Sequence, residues 1–215
     1  MVKLTKDNRL KEDSERKLVM NKLYFRYGVM GCSKTAQALM LKFNYEQKGH
    51  TVFLLKPAVD NRTVVDGKAV VASRIGLKAE GIEFSTEDNL FDVCKEYDIL
   101  NIATVSKNVI IVDECQFMTR EQIEQLKDIS QYLPVICFGL LTNFKTELFE
   151  GSKRLVELAD SLEEIKSFCE CGNKATINAR LKNGKVVNSG REIVIGGDDH
   201  YEGMCYYCYK KKLKK

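Results

Sequence analysis

The chain has 215 residues, 34 Lys and Arg against 30 Asp and Glu (formal charge +4), and 44% hydrophobic content. That is enough for one ordinary domain, or one domain plus a small appendage. No run approaches the roughly 18 apolar residues of a membrane helix, and the charged start MVKLTKDNRLKEDSERK lacks the apolar stretch of a secretory signal, so the expectation is a cytoplasmic chain with no membrane partner.

Residues 1–20 are polar and aperiodic and read as a flexible N-terminal extension. From Lys22 apolar strands alternate with amphipathic stretches. KLYFRYG is a short strand ending in glycine. KTAQALMLKFNYEQKG is helical, with Ala38, Leu39, Met40, Leu41 and Phe43 on a broad apolar face and Gly49 as its stop. TVFLLKP is a buried-type strand, AVVASRIGLKAEGIEF reads as short strands with a turn, and NLFDVCKEYDILN as a helix. NVIIVDE is an apolar strand ending in two carboxylates. TREQIEQLKDIS has Thr119 as N-cap and Gln122 three residues on, close to a capping box. PVICFGLL is another buried strand. Strands that are apolar throughout, alternating with helices, predict an α/β fold with a parallel sheet covered on both faces, over residues 21–165.

The texture changes after residue 165. Residues 166–210 hold two cysteine pairs, glycines and aromatics and no long periodic element, and read as a second, small domain. The final 211–215 belong to a basic run, KKKLKK, expected to be a solvated, frayed tail. With few aromatics beside it and no helical pattern, no nucleic-acid partner is expected.

Two motifs carry chemistry. YGVMGCSKT (27–35) follows a strand and opens a helix, the setting of a phosphate-binding loop of the form G-x-x-x-x-G-K-[ST]. Gly28 opens it. Lys34 would reach the β- and γ-phosphates and Thr35 would offer a hydroxyl to Mg²⁺. Ser33 stands where the pattern has its second glycine, and Gly31 sits two residues early. If position 33 needs positive φ, serine costs about 1–2 kcal/mol. Downstream, VIIVDE (109–114) places Asp113 at a strand end to hold Mg²⁺. Glu114 follows immediately, and because adjacent residues leaving a strand point in different directions, one carboxylate can face the metal while the other faces the substrate.

The eight cysteines are not expected to form disulfides in the cytosol. Cys32, Cys94, Cys115 and Cys137 are scattered in apolar runs and read as small core residues. Cys169, Cys171, Cys205 and Cys208 form a C-x-C and a C-x-x-C pair, a ligand set for structural zinc. Residues 172–204 would then be a loop stapled at its base.

In this order the motifs resemble the cytosolic, zinc-lasso type of thymidine kinase, over residues 22–210. KPAVDNR is similar to the family's D-[TN]-R strand end near the nucleotide phosphates. SRIGLKAEGI is similar to the S-R-x-G segment of bacterial members, and DECQF to D-E-[AG]-Q-F. The resemblance implies a P-loop NTPase-like sheet flanked by helices plus a small zinc-ribbon or lasso domain. It implies transfer of phosphate from ATP to the 5′-hydroxyl of thymidine, with deoxyuridine possible, and Glu114 as general base. The ATP site it implies comprises Gly28, Val29, Met30, Gly31, Cys32, Ser33, Lys34, Thr35, Asp60, Asn61, Arg62, Asp113, Glu114, Cys115 and Gln116. GLLTNFKTELFEGS resembles the loop whose phenylalanine, here Phe144, stacks on the base. IVIGGDDHY resembles the lasso segment that reads the base edges, which implies Glu192, Ile193, Val194, Ile195, Gly196 and Tyr201 as substrate-binding. It also implies ATP, Mg²⁺ and structural Zn²⁺ as cofactors, and a homotetramer. Three departures stand out: Ser33, Leu141 where the family has a charged residue, and the C-x-C pair. Ser33 and Leu141 bear on turnover and nucleotide affinity. The alternative is therefore a catalytically impaired paralogue that binds nucleotide or nucleoside.

Overall fold

A computed structural model describes residues 22–58, 64–65, 68–190 and 200–213. Its centre is a six-stranded, all-parallel sheet. In chain order the strands are β1 (Leu23–Tyr27), β2 (Thr51–Pro57), β6 (Ile82–Phe84), β7 (Asn108–Val112), β8 (Val135–Gly139) and β9 (Ser161–Glu164). Their spatial order is β6-β2-β7-β8-β1-β9. Every residue of β7 and β8 is buried, because a central strand of a covered parallel sheet has no solvent side. A small antiparallel sheet joins β3 (Val64–Val65), β4 (Lys68–Ala72) and β5 (Lys78–Glu80); the segment read as short strands with a turn supplies most of β4, β5 and, in the main sheet, β6.

One sheet face is covered by α2 (Leu90–Glu96), α3 (Arg120–Ile129) and α4 (Glu150–Leu158), whose Leu90, Ile123, Leu126 and Leu155 pack on Leu23, Phe25, Ile110 and Val112. α3 starts with a full capping box: the Thr119 side chain accepts from Gln122 N–H at 3.2 Å, and the Gln122 side chain accepts from Thr119 N–H at 3.3 Å. The other face is covered by α1 (Lys34–Glu46). Only Ala36, Ala38 and Leu39 of its apolar residues are buried, whereas Met40 and Phe43 are 54% and 60% exposed. This corrects the broad apolar face read from the sequence. At about 100° per residue, positions 38–43 go right round the helix, and a sheet hides only one stripe.

The same face also carries the cysteine-rich segment. Its antiparallel sheet, β11-β10-β12, consists of β10 (Ile177–Lys182), β11 (Lys185–Val187) and β12 (His200–Met204). Ile177, Ala179, Leu181 and Met204 join one apolar cluster with Val29, Ala38, Ile111 and Phe138. The chain then forms α5 (Tyr206–Leu213), so the basic run is helical at least to Leu213, not frayed from 211. Tyr209 and Leu213, one turn apart, pack on this cluster, and Lys210, Lys211 and Lys212 suit the negative end of the helix dipole.

Candidate active site

β1, β8 and β7 lie side by side, and their carboxyl ends lead into three segments: the 28–35 loop, the 139–149 loop and the Asp113–Glu114 pair. Ligands of open α/β sheets bind at this edge.

The first segment turns twice through left-handed backbone, at Gly31 (φ 79°) and at Ser33 (φ 64°, ψ 27°). The serine therefore occupies the strained region, and Gly31 does not relieve it. Its side chain is exposed and makes no capping bond to α1. Gly28 is required by space: a Cβ there would lie 2.5 Å from Cys32 Sγ and 2.6 Å from the Ile165 carbonyl oxygen. Lys34 is buried and its ammonium bridges the loop, donating to the carbonyls of Gly28 (3.1 Å) and Val29 (2.9 Å). α1 starts at Lys34, which turns its unpaired N–H groups and positive dipole end toward the loop.

Asp113 is 3% exposed, and its Oδ1 has no hydrogen-bond partner. Burial first, then the neighbouring Glu114, raises its pKa from 3.8 to about 7, opposed by the Thr35 hydroxyl and the Lys34 ammonium. An orphaned, desolvated carboxylate oxygen next to a threonine hydroxyl suits a divalent cation. The shift has a consequence for stability. Between about pH 4 and pH 7 the folded protein holds a proton that the unfolded chain has released, so this group opposes folding increasingly as pH rises to about 7. Asp113→Asn is expected to raise the melting temperature of nucleotide-free protein at pH 8 and to raise it less at pH 5. Melting curves across that range check this, and an equal effect at both values would contradict it.

Glu114 also adopts left-handed backbone, φ 56° and ψ 36°, a conformation that costs about 1–3 kcal/mol and is held by its surroundings. Gln116 is one of them. It is 2% exposed, its amide nitrogen donates to Glu114 Oε2 at 2.6 Å, and its amide oxygen accepts from Leu140 N–H at 2.9 Å. It thus ties the Glu114 carboxylate to the start of the 139–149 loop. Cys115 is fully buried in the core beneath. Lys56, a buried residue at the end of β2 that the sequence reading did not mark, follows Leu55, whose carbonyl accepts from Asp113 N–H.

The 139–149 loop is internally braced. Asn143 Oδ1 accepts from the N–H groups of Lys145 (2.9 Å) and Glu147 (3.0 Å), and the Ser152 hydroxyl donates to the Leu140 carbonyl at 2.5 Å. Phe144 is 1% exposed, with the Arg180 guanidinium 5.1 Å and the Lys145 ammonium 5.9 Å from its ring centroid. Arg180 stands opposite Tyr201 in the β10–β12 ladder. Arg180, which no motif marked, thus lies over the Phe144 ring and pairs in the ladder with Tyr201. Asp60, Asn61, Arg62 and residues 192–196 lie outside the described residues.

The four clustered cysteines converge, with their sulfur atoms all within 4.8 Å of one another and Cys171 and Cys205 at 3.6 Å. A tetrahedral thiolate site with Zn–S bonds of about 2.3 Å has sulfur–sulfur edges of about 3.8 Å, so the set fits a metal ion. Cys32, Cys94, Cys115 and Cys137 are buried, as expected of core residues.

The family model described as Thymidine kinase matches residues 21–209. A thymidine kinase of Rhodopirellula baltica is 38% identical over 90% of this chain and 90% of its own length. One of Vibrio vulnificus is 40% identical over 91% of this chain and all of its own, and one of Haemophilus influenzae 40% over 90% and 98%. Among solved structures, Pif1 helicase from Candida albicans overlaps 78% of this chain and 40% of its own at 14% identity and a TM-score of 0.41, too loose a likeness to carry an argument. The match over residues 21–209 and the convergence of loop, acid pair and cysteine cluster agree: the chain belongs to the thymidine kinase family.

Proposed function

We propose that this protein transfers the γ-phosphoryl group of ATP to the 5′-hydroxyl of thymidine, with Glu114 as general base. As a thymidine kinase family member it is a phosphotransferase acting on a nucleoside. The observation that carries the assignment of roles is the pairing of two carboxylates with different surroundings. Asp113 is buried beside Thr35 with an orphaned oxygen. Glu114 is half-buried and aimed by Gln116. The 28–35 loop cradles the ATP phosphates on backbone N–H groups, and Lys34 exchanges its two carbonyl partners for phosphate oxygens. Asp113 and Thr35 hold Mg²⁺, which when bound neutralises charge on the β- and γ-phosphates. The thymidine 5′-oxygen attacks the γ-phosphorus, the bond to the ADP oxygen breaks, and the hydroxyl proton passes to Glu114. Base recognition is assigned to Tyr201, the 192–196 segment and Phe144, whose ring is 1% exposed beneath Arg180 and meets a base only when that guanidinium moves aside; deoxyuridine is a second acceptor. The cysteine cluster holds structural Zn²⁺. For the homotetramer, the shallow apolar groove lined by Leu39, Met40, Phe43 and Leu77 offers one contact surface. ADP release with ATP–Mg²⁺ and a nucleoside panel tests the reading; absence of thymidine-dependent turnover would overturn it.

The strained Ser33 favours the second reading, an impaired paralogue, and one variant separates the two. Ser33→Gly relieves about 1–2 kcal/mol of left-handed strain, partly offset by the greater freedom of glycine in the unfolded chain. The expected result is a melting temperature equal to or slightly above wild type, with kcat/KM within about threefold. A gain far beyond that in turnover assays would show that the natural loop is impaired.

A further inference from the structure

Asn178 lies on β10, outside every motif, and is 3% exposed. Its side-chain oxygen accepts from Met30 N–H at 2.7 Å, and its side-chain nitrogen donates to the Thr142 carbonyl at 2.7 Å. The orientation of the amide is forced, since one partner can only donate and the other only accept. Met30 belongs to the phosphate loop and Thr142 to the loop that carries Phe144. One side chain from a third element therefore sets the spacing of the other two.

The surroundings keep that element close. Across the β10–β12 ladder Asn178 faces Gly203. A Cβ at Gly203 would lie 2.8 Å from Val29 Cγ2 and 3.2 Å from the Met30 carbonyl oxygen. The small sheet thus approaches the phosphate loop as closely as backbone permits, and a larger residue at 203 would lift Asn178 off its partners. Two residues along β10, Arg180 covers the Phe144 ring at 5.1 Å. The sheet is anchored in turn by the cysteine cluster, because Cys205 directly follows β12 and Cys171 lies six residues before Ile177.

A buried amide always needs partners, so hydrogen bonding alone would mark Asn178 as merely structural. What distinguishes it is the identity of both partners. Phosphoryl transfer is mostly positioning: reacting atoms must meet within about 3–3.5 Å, and a misplacement of about 1 Å costs about 10²-fold in rate. We propose that Asn178 is a positioning residue that holds the ATP loop and the nucleoside loop at the spacing transfer requires, and so links both to the metal-bearing sheet. The proposal rests on the assignment of those two loops to ATP and thymidine given above.

The test compares full-length wild type, Asn178→Ala and Asn178→Asp by steady-state kinetics with ATP–Mg²⁺ and thymidine. Metal content, melting temperature and hydrogen exchange at the Met30 amide are followed alongside. Asn178→Ala frees both loops, so kcat should fall about 10–100-fold with both KM values raised. Asn178→Asp still accepts from Met30 but sets a carboxylate against the Thr142 carbonyl. KM for ATP should then stay within about threefold of wild type while KM for thymidine rises about tenfold. Met30 exchange should be accelerated in the alanine variant and remain slow in the aspartate variant. Equal effects of Asn178→Asp on both KM values, or unchanged Met30 exchange in Asn178→Ala, would overturn the proposal. If the alanine variant does not fold, the aspartate variant decides by its KM split. Failure of the wild type to phosphorylate thymidine would instead remove the loop assignments, and Met30 exchange would still decide whether Asn178 holds the phosphate loop.

Discussion

Glu114→Gln is expected to lower kcat by about 10²–10⁴-fold, the usual contribution of a positioned general base, while binding of thymidine and ATP stays near wild type. The substitution is nearly isosteric. The glutamine oxygen can still accept from Gln116 Nε2, which lies 2.6 Å from the Glu114 carboxylate, so geometry is retained and only the proton acceptor is lost. Its backbone is already left-handed in the wild type, φ 56°, and glutamine meets the same strain there as glutamate, so the fold should not report the change. Turnover measured beside calorimetric binding of thymidine checks this. A variant that keeps kcat within tenfold would show that another group takes the 5′-hydroxyl proton. A variant that loses binding as well would show that Glu114 acts mainly by holding the substrate.

The second large effect is expected on removing the metal. Structural zinc sites contribute about 10–16 kcal/mol of apparent binding free energy in small zinc-finger domains, as large as the whole net stability of a typical domain, about 5–15 kcal/mol. Purified protein should contain about one zinc per chain. Chelation, or Cys171→Ser, should release the metal and melt the β11-β10-β12 sheet together with α5, which carries Cys208. The loss should spread to activity, because Asn178 and Gly203 of that sheet rest directly on Val29 and Met30 of the phosphate loop. Elemental analysis, amide exchange and turnover before and after chelation measure all three. Folded, active protein without zinc would remove the staple from the account.

Local sequence was a reliable guide wherever local physics decides. The apolar runs of β7 and β8 could only be buried strands, and the Thr119–Gln122 spacing alone specifies a capping box. The order of loop, acid pair and cysteine pairs carried the reading of the chemistry. The cysteine spacing anticipated a converging cluster, since two short-spaced thiol pairs make a metal site when their bases meet. Other features depend on what lies across the fold. Met40 and Phe43 have the composition of a core face, and only the position of the sheet shows that they point away from it. Tyr209 and Leu213 make the basic run helical only because a core cluster lies beneath them.

By itself, then, the sequence determined the strand–helix alternation, the loop between β1 and α1, the carboxylate pair at the end of β7 and the two cysteine pairs, because each depends on residue type and short spacing. Tertiary structure alone decided that Ser33 and Glu114 take left-handed backbone, that Gln116 aims Glu114, that Arg180 covers Phe144 and that Asn178 joins two loops 148 and 36 residues away from it. The two left-handed residues are held by the packing around them, and the Arg180 and Asn178 contacts join segments distant in the chain. Such contacts follow from which elements share a sheet face, and no local pattern encodes that.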